Sequence, residues 1–144
     1  MKILARISIA LFVLFAVSHS ARAQQAKKPG GTDSASVERG RYIVEAVAMC
    51  GRCHTPWNQA GEGQRSNWLL GGPVQIQATY AVPNWAQVEP RIAGRPPGTD
   101  AEFIQLLTTG ISRDGAPPKP PMPNFRMTRT DAESVLAYLK SLRQ

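Results

Sequence analysis

Two cysteines and a histidine fall within five consecutive residues, Cys50-Gly51-Arg52-Cys53-His54. Cys-x-x-Cys-His is the attachment pattern of a c-type haem. Each thiol adds across one vinyl group, and the two-residue gap spans the pair on one porphyrin face. The imidazole that follows is delivered to the iron. Cys50 and Cys53 are therefore the candidate thioether residues, and His54 the candidate iron ligand. Rival chemistries fit less well. A thioredoxin-like redox pair requires strand–helix alternation around the motif, and the flanking pattern has none. A zinc site needs four ligands, usually as two Cys or Cys/His pairs, and the supply here is too small.

The second histidine, His19, lies in a segment that reads as a leader. Lys2 and Arg6 give residues 1–23 a basic start, Ile7 to Val17 an apolar run, and Ala21-Arg22-Ala23 a small-x-small cleavage site. The expectation is a signal peptide cut after Ala23 and export to the periplasm. The apolar run falls short of the roughly 20 residues that span a bilayer, so no stable membrane anchor is expected. With His19 removed, His54 is the sole imidazole. That excludes bis-histidine ligation within the chain and leaves no free histidine for a Ser-His-Asp or Cys-His hydrolase. The sixth iron position then falls to a methionine, another weak donor, or nothing. Met49 adjoins Cys50 on the helix side, which keeps it from the opposite haem face, so Met122 and Met127 remain.

Lys2, Arg6 and Arg22 would leave with the leader, lowering the formal net charge from +7 to +4. No basic run exceeds Lys27-Lys28, whereas nucleic-acid binding needs a concentrated basic face. Nucleic acid is excluded as a partner. A mild positive charge suits docking to an acidic partner instead. All 12 glycines and all 12 prolines follow residue 23, well above the average of about 12% for the two types together. The mature chain is expected to fold but to be rich in loops. A domain so small and so looped needs a disulfide, a metal or a cofactor to complete its core.

Stepping outward from the motif, residues 24–34 read as a flexible polar arm with a Pro29-Gly30-Gly31 stop. A helix begins near Ser34 or Ser36, with Val37, Gly40, Val44 and Val47 on one face. Gly40 costs this helix about 1 kcal/mol against Ala. It is either incidental or the point where another helix comes close. Val74, Ile76, Ala78 and Tyr80 alternate with polar residues and predict one short strand. Trp57, Trp68 and Trp85 share the irregular stretch 56–98, packing either against a large flat apolar group or into a satellite core. A second helix runs from Thr99 to Thr109, with Thr99 and Glu102 as a capping box and Gly110 as its stop. After the proline-dense loop Ala116 to Phe125 comes a last helix. Thr130 and Glu133 are its predicted capping box, and Ala132, Val135, Leu136, Leu139 and Leu142 its buried stripe.

Gly40-Arg-Tyr-Ile-Val44, Cys50 to Pro56, Leu70-Gly-Gly72, Pro83-Asn84, Gly110, Pro121-Met122-Pro123 and Ala137 to Leu142 together carry a resemblance. From Ser36 to Leu142 the chain resembles a class I c-type cytochrome. It is most similar to the haem domains of cytochrome subunits serving periplasmic alcohol and aldehyde dehydrogenases. Those subunits usually carry several such domains, and their Asn-Ile-Thr-Pro segment stands here as Asn84-Trp85-Ala86-Gln87. The resemblance implies an all-α class I cytochrome domain over residues 35–144, a few short helices and long loops wrapped round one covalent haem c. Its first and last helices would cross with Gly40 opposite Tyr138 or Leu139. A carbonyl from the Pro83 or Pro90 region would hold the other ring nitrogen of His54, and Arg91, Arg95, Trp85 and Tyr80 are candidate propionate partners. Met-Pro is the family's ligand signature, which favours Met122. The rings of Pro121 and Pro123 point the same way, because they restrict the backbone around it. Met127 suits gap-filling beside Phe125.

The expected function is that of a periplasmic monohaem one-electron carrier and not an enzyme. His54 and Met122 would hold the iron at a relatively high potential. Donor and acceptor would be redox proteins, a periplasmic dehydrogenase or a respiratory donor among them, met through small transient contacts. Two alternatives stand beside this reading. One is a haem enzyme or gas sensor with an open sixth position, and the other a dedicated subunit of a dehydrogenase complex.

Overall fold

Ser34 opens the first helix of a computed structural model that describes residues 34–142. The predicted leader and all but the last residue of the predicted arm lie outside the described residues. Helix α1 (Ser34–Tyr42) passes directly into a π-helical turn, Ile43–Val47. The wider turn rotates the apolar face. Gly40, Ile43 and Val44 are buried, while Val47, expected on the same stripe, is 56% exposed. The Ala48 amide donates to the Ile43 carbonyl at 2.8 Å and the Cys50 amide to Val44 at 2.9 Å, closing the turn. A single short helix, α2 (Gly51–His54), follows.

The alternating segment 74–80 does not form the expected strand. The ladder nearby pairs β1 (Gly72–Pro73) with β2 (Val88–Glu89), antiparallel, with Gly72 opposite Glu89 and Pro73 opposite Val88. One further bond, from the Val74 amide to the Gln87 carbonyl at 3.0 Å, ends the contact. Beyond it the alternation has nothing to cover. Ile76 is exposed and Tyr80 is 76% exposed.

Helix α3 (Asp100–Thr109) has the predicted capping box. The Thr99 amide donates to Glu102 Oε2 at 2.7 Å, and Thr99 Oγ1 accepts from the Glu102 amide at 3.3 Å. Gly110, in the left-handed conformation, ends the helix. Helix α4 (Arg129–Ser141) starts earlier than its predicted box at Thr130 and Glu133. Thr128 is the cap, its Oγ1 accepting from the Asp131 amide at 3.1 Å. The pair Thr128 and Asp131 has the same spacing, so Thr130 falls inside the first turn, and Glu133 pairs instead with Arg129 at 3.6 Å.

Helices α1 and α4 cross at Gly40. A Cβ there would fall on the Ser134 carbonyl oxygen and come within 2.8 Å of Tyr138 Cβ. Tyr138 is thus the residue opposite, with Ser134 nearer still. Polar ties flank the crossing. Tyr138 Oη donates to Glu45 Oε1 at 2.6 Å, and Arg39 Nε to Asp131 Oδ1 at 2.9 Å. Lys140 reaches Asp100 at 2.6 Å and joins α4 to α3. Ile43, Val44, Leu69, Phe103, Leu107, Val135 and Leu139 lie at the heart of one core, built mainly from helix faces. Among the described residues no helix is long and apolar enough to cross a membrane.

Candidate functional site

Met49 stops the helical run by taking a positive φ of 49°, and the chain turns at once into α2. Within that turn the His54 amide donates to the Cys50 carbonyl at 2.8 Å. Residues three and four apart on a helical turn share a face, so Cys50, Cys53 and His54 come together. All three line one cavity of about 350 Å³. Gly51 faces the other way, directly onto Trp68, whose ring a Cβ would penetrate. Arg65 stacks on that ring at 4.2 Å.

No disulfide joins Cys50 and Cys53. Burial pushes Cys50 up to about 11, and burial together with the Glu89 carboxylate raises Cys53 against the pull of Arg52. A reactive redox dithiol needs the opposite shift, toward thiolate.

His54 is 8% exposed, and its Nδ1 lies 2.8 Å from the Pro90 carbonyl oxygen. A carbonyl only accepts, so Nδ1 carries the proton and Nε2 keeps a lone pair. Burial lowers the pKa of the ring, with the Pro90 bond opposing, a shift toward the neutral ligand form. Of the two proline regions expected to supply this acceptor, Pro90 does so. Its own position is fixed by the β1–β2 ladder and by the Ile92 amide on the Leu69 carbonyl at 3.0 Å. The Gly71 amide completes the frame, bonding the His54 carbonyl at 2.8 Å.

Met122 lines the same cavity from the proline loop, beside Pro121 and Pro123. That loop is braced by the Ala86 amide on the Pro120 carbonyl at 2.7 Å. Met122 also borders a neighbouring cavity of about 590 Å³ among Pro83, Asn84, Pro117, Pro118 and Pro120, which contains none of the motif residues. Met127 lines the motif cavity too, but it packs against the core. Its amide is held to the Leu107 carbonyl at 2.9 Å. Met49, expected to stay on the helix side, is exposed at the rim of that cavity, turned there by its backbone. The two candidate thioethers thus differ in mounting rather than in access.

None of the proposed propionate partners lines the motif cavity. Arg91 Nε donates to the Ala93 carbonyl at 2.9 Å, Trp85 Nε1 to Ile76 at 3.2 Å, and Arg95 and Tyr80 are exposed. The tryptophans are likewise absent from its wall. Trp57 Nε1 donates to the Arg52 carbonyl at 2.9 Å, and Trp68 packs on the core. One wall residue escaped sequence reasoning. Glu89 is 8% exposed and its Oε1 has no hydrogen-bond partner. Its burial follows from pairing with Gly72 across the ladder, which no local pattern announces.

A c-type haem fits this donor set. Two thiols and an imidazole with a free Nε2 stand on one segment, and a thioether stands on another distant in sequence. Between them the wall is mostly apolar, with Ile92, Phe103, Leu106, Leu107, Val135 and Leu139. Among the described residues no group of three or more His, Cys, Asp or Glu side chains is placed to hold a metal ion by itself.

A family model described as cytochrome c matches residues 37–143. The chain is 33% identical over 105 residues to a diheme cytochrome c-type protein of Cereibacter sphaeroides, covering 72% of this chain and 34% of that protein. It is 31% identical over 110 residues to the cytochrome c subunit of a quinone alcohol dehydrogenase of Gluconacetobacter polyoxogenes, 74% of this chain and 22% of the relative. A fructose dehydrogenase cytochrome subunit of Gluconobacter japonicus is 28% identical over 109 residues, 72% and 21% respectively. The chain therefore spans about a third or less of the length of these curated relatives.

Proposed function

Because the chain belongs to the cytochrome c family, we propose that it is a periplasmic carrier of single electrons with one haem c. Cys50 and Cys53 would provide the thioethers, and His54 and Met122 would ligate the iron. The bound group supplies an iron that alternates between ferrous and ferric states. The protein's part is to hold that iron and keep it from other chemistry. Pro90 fixes the His54 tautomer and makes its Nε2 more basic. Phe103, Leu107 and Leu139 keep water from the buried side of the cavity. A thioether from Met122 favours the ferrous state and raises the potential. With His54 and Met122 both holding the iron, no ligation site would be left for a substrate, and the carrier would need only a docking face.

The observation that carries this reading is the convergence of Cys50, Cys53 and His54 on one cavity wall, with His54 Nδ1 committed to Pro90. The test is haem retention. Protein expressed with its leader in a host competent for cytochrome c maturation should keep its haem through acid–acetone extraction, at one haem per chain, and fractionate with the periplasm. Haem that extracts freely would overturn the assignment.

The names of the relatives support a dehydrogenase as donor. A dedicated subunit should co-purify with its dehydrogenase through moderate salt, whereas a transient partner should be lost. A second reading, an open sixth position serving as a gas or substrate site, draws on the recess behind Met122. Rapid stoichiometric carbon monoxide binding by the native ferrous protein would favour it.

A further inference from the structure

Glu89 is the buried ionisable side chain on the motif cavity whose chemistry the electron-carrier reading leaves unused. It is buried, it lines the wall beside Cys53, and its Oε1 is unpartnered. None of the ion pairs among the described residues includes it. Buried carboxylates are normally paired or hydrogen-bonded, so its isolation here calls for a role.

The groups that face it are few. On the α2 wall stand Cys53, which no longer titrates once it is a thioether, and His54, whose Nδ1–H is committed to Pro90. Arg52, beside Cys53, is exposed. The proline loop contributes Lys119, exposed at the cavity rim. On its own segment Arg91 is turned to the Ala93 carbonyl. Strand β1, Gly72–Pro73, contributes no ionisable group. Glu89 is thus the buried acid of this wall.

Resting on the haem assignment above, we infer that Glu89 takes a proton from solvent when the iron gains an electron from its donor, and returns it when the electron leaves. The carboxylate becomes a carboxylic acid as ferric iron becomes ferrous, so the charge added by the electron is offset by the proton. A charge change on the cofactor is felt strongly by a neighbouring acid in a poorly solvated wall. Burial alone already pushes Glu89 up to about 7, which places its proton equilibrium in the working range of a periplasmic carrier. The coupling is reciprocal: the electron raises the proton affinity, and the proton raises the electron affinity. The potential must therefore fall as pH rises.

The experiment is a spectroelectrochemical titration of the holoprotein from acid to alkaline pH. One proton per electron sets a ceiling of a tenfold loss in electron affinity per pH unit, about 59 mV. The wild type should show a sloping segment near neutrality below that ceiling. Glu89→Gln should flatten it, Glu89→Asp should retain a slope with a moved midpoint, and the exposed control Glu133→Gln should leave it unchanged. A wild-type potential independent of pH, or a slope that survives in Glu89→Gln, would overturn the inference. If Glu89→Gln fails to fold, a Glu89→Asp curve superimposable on wild type would overturn it and a displaced midpoint would support it. Loss of covalent haem would instead defeat the underlying assignment, so the two failures are distinguishable.

Discussion

Gly40 on α1 lies flat against the Ser134 carbonyl of α4, so close that a methyl group would take the oxygen's place. This contact sets the separation of the two helices that frame the core behind the motif. Gly40→Ala should force them apart and lower stability by about 1–3 kcal/mol, the usual cost of overpacking. Denaturant titration of the holoprotein checks it. An unchanged midpoint would show that the crossing yields without cost.

The same argument applies inside the motif. Gly51 faces Trp68 with no room for a side chain. Gly51→Ala should displace the indole and reduce the yield of covalently loaded protein, although neither cysteine nor histidine is touched. Combining it with Trp68→Leu, which opens the space, should recover part of that yield. Equal losses in the single and double variants would place the defect elsewhere, for example in recognition by the maturation machinery.

The N-terminus of α4 separates two threonines that look alike in sequence. Thr128→Ala should cost about 1 kcal/mol through loss of the bond to the Asp131 amide. Thr130→Ala, inside the first turn, should change stability by less than about 0.5 kcal/mol. Thermal or chemical unfolding of the pair decides the matter, and the reverse ranking would restore the cap at Thr130.

Asp131 gives this end of the molecule a pH signature. The Arg39 hydrogen bond holds its carboxyl below the ordinary carboxylate range, against a small opposing effect of burial. A depressed folded value means that the stabilisation is complete above the ordinary value. It is lost as pH falls through the depressed one. Wild type should therefore exceed Asp131→Asn by less than about 1 kcal/mol at neutral pH, because the arginine is exposed. The gap should close in acid. A gap that stays constant with pH would mean that the charge is not its source.

What could be read in the sequence follows from where each constraint is written. Covalent chemistry demands a fixed local spacing, so Cys50, Cys53 and His54 are legible without a fold. The Thr99–Glu102 box and the Gly110 stop are local too, and both are present. The π-turn at Ile43–Val47 is invisible to a 3.6-residue period, which is why that period puts Val47 on the buried face although it stands exposed. The alternation at 74–80 is a property of one segment, whereas a strand requires a second segment to pair with. Pro90 as the partner of His54, and Glu89 as a buried acid, both arise from the pairing of β1 with β2. Such contacts join residues far apart in the chain and leave no periodic trace.

Met122 and Met127 both border the motif cavity, yet they are held differently. Met127 packs on the core beside Phe125, with its amide tied to Leu107. Met122 stands between two prolines, on a loop anchored by the Ala86–Pro120 bond. Proline rings narrow the conformations open to that loop before any ligand is bound, so little entropy is lost in presenting the thioether sulfur. Met122→Ala should therefore abolish the absorption band of Met-ligated ferric haem, lower the reduction potential and admit carbon monoxide to the ferrous iron. Met127→Ala should leave those three properties in place and cost stability instead, by less than the roughly 2–5 kcal/mol of a fully buried methionine, because Met127 is only partly buried. If Met127→Ala removes the band and Met122→Ala does not, the ligand is Met127, and the proline loop serves only to cover the cavity.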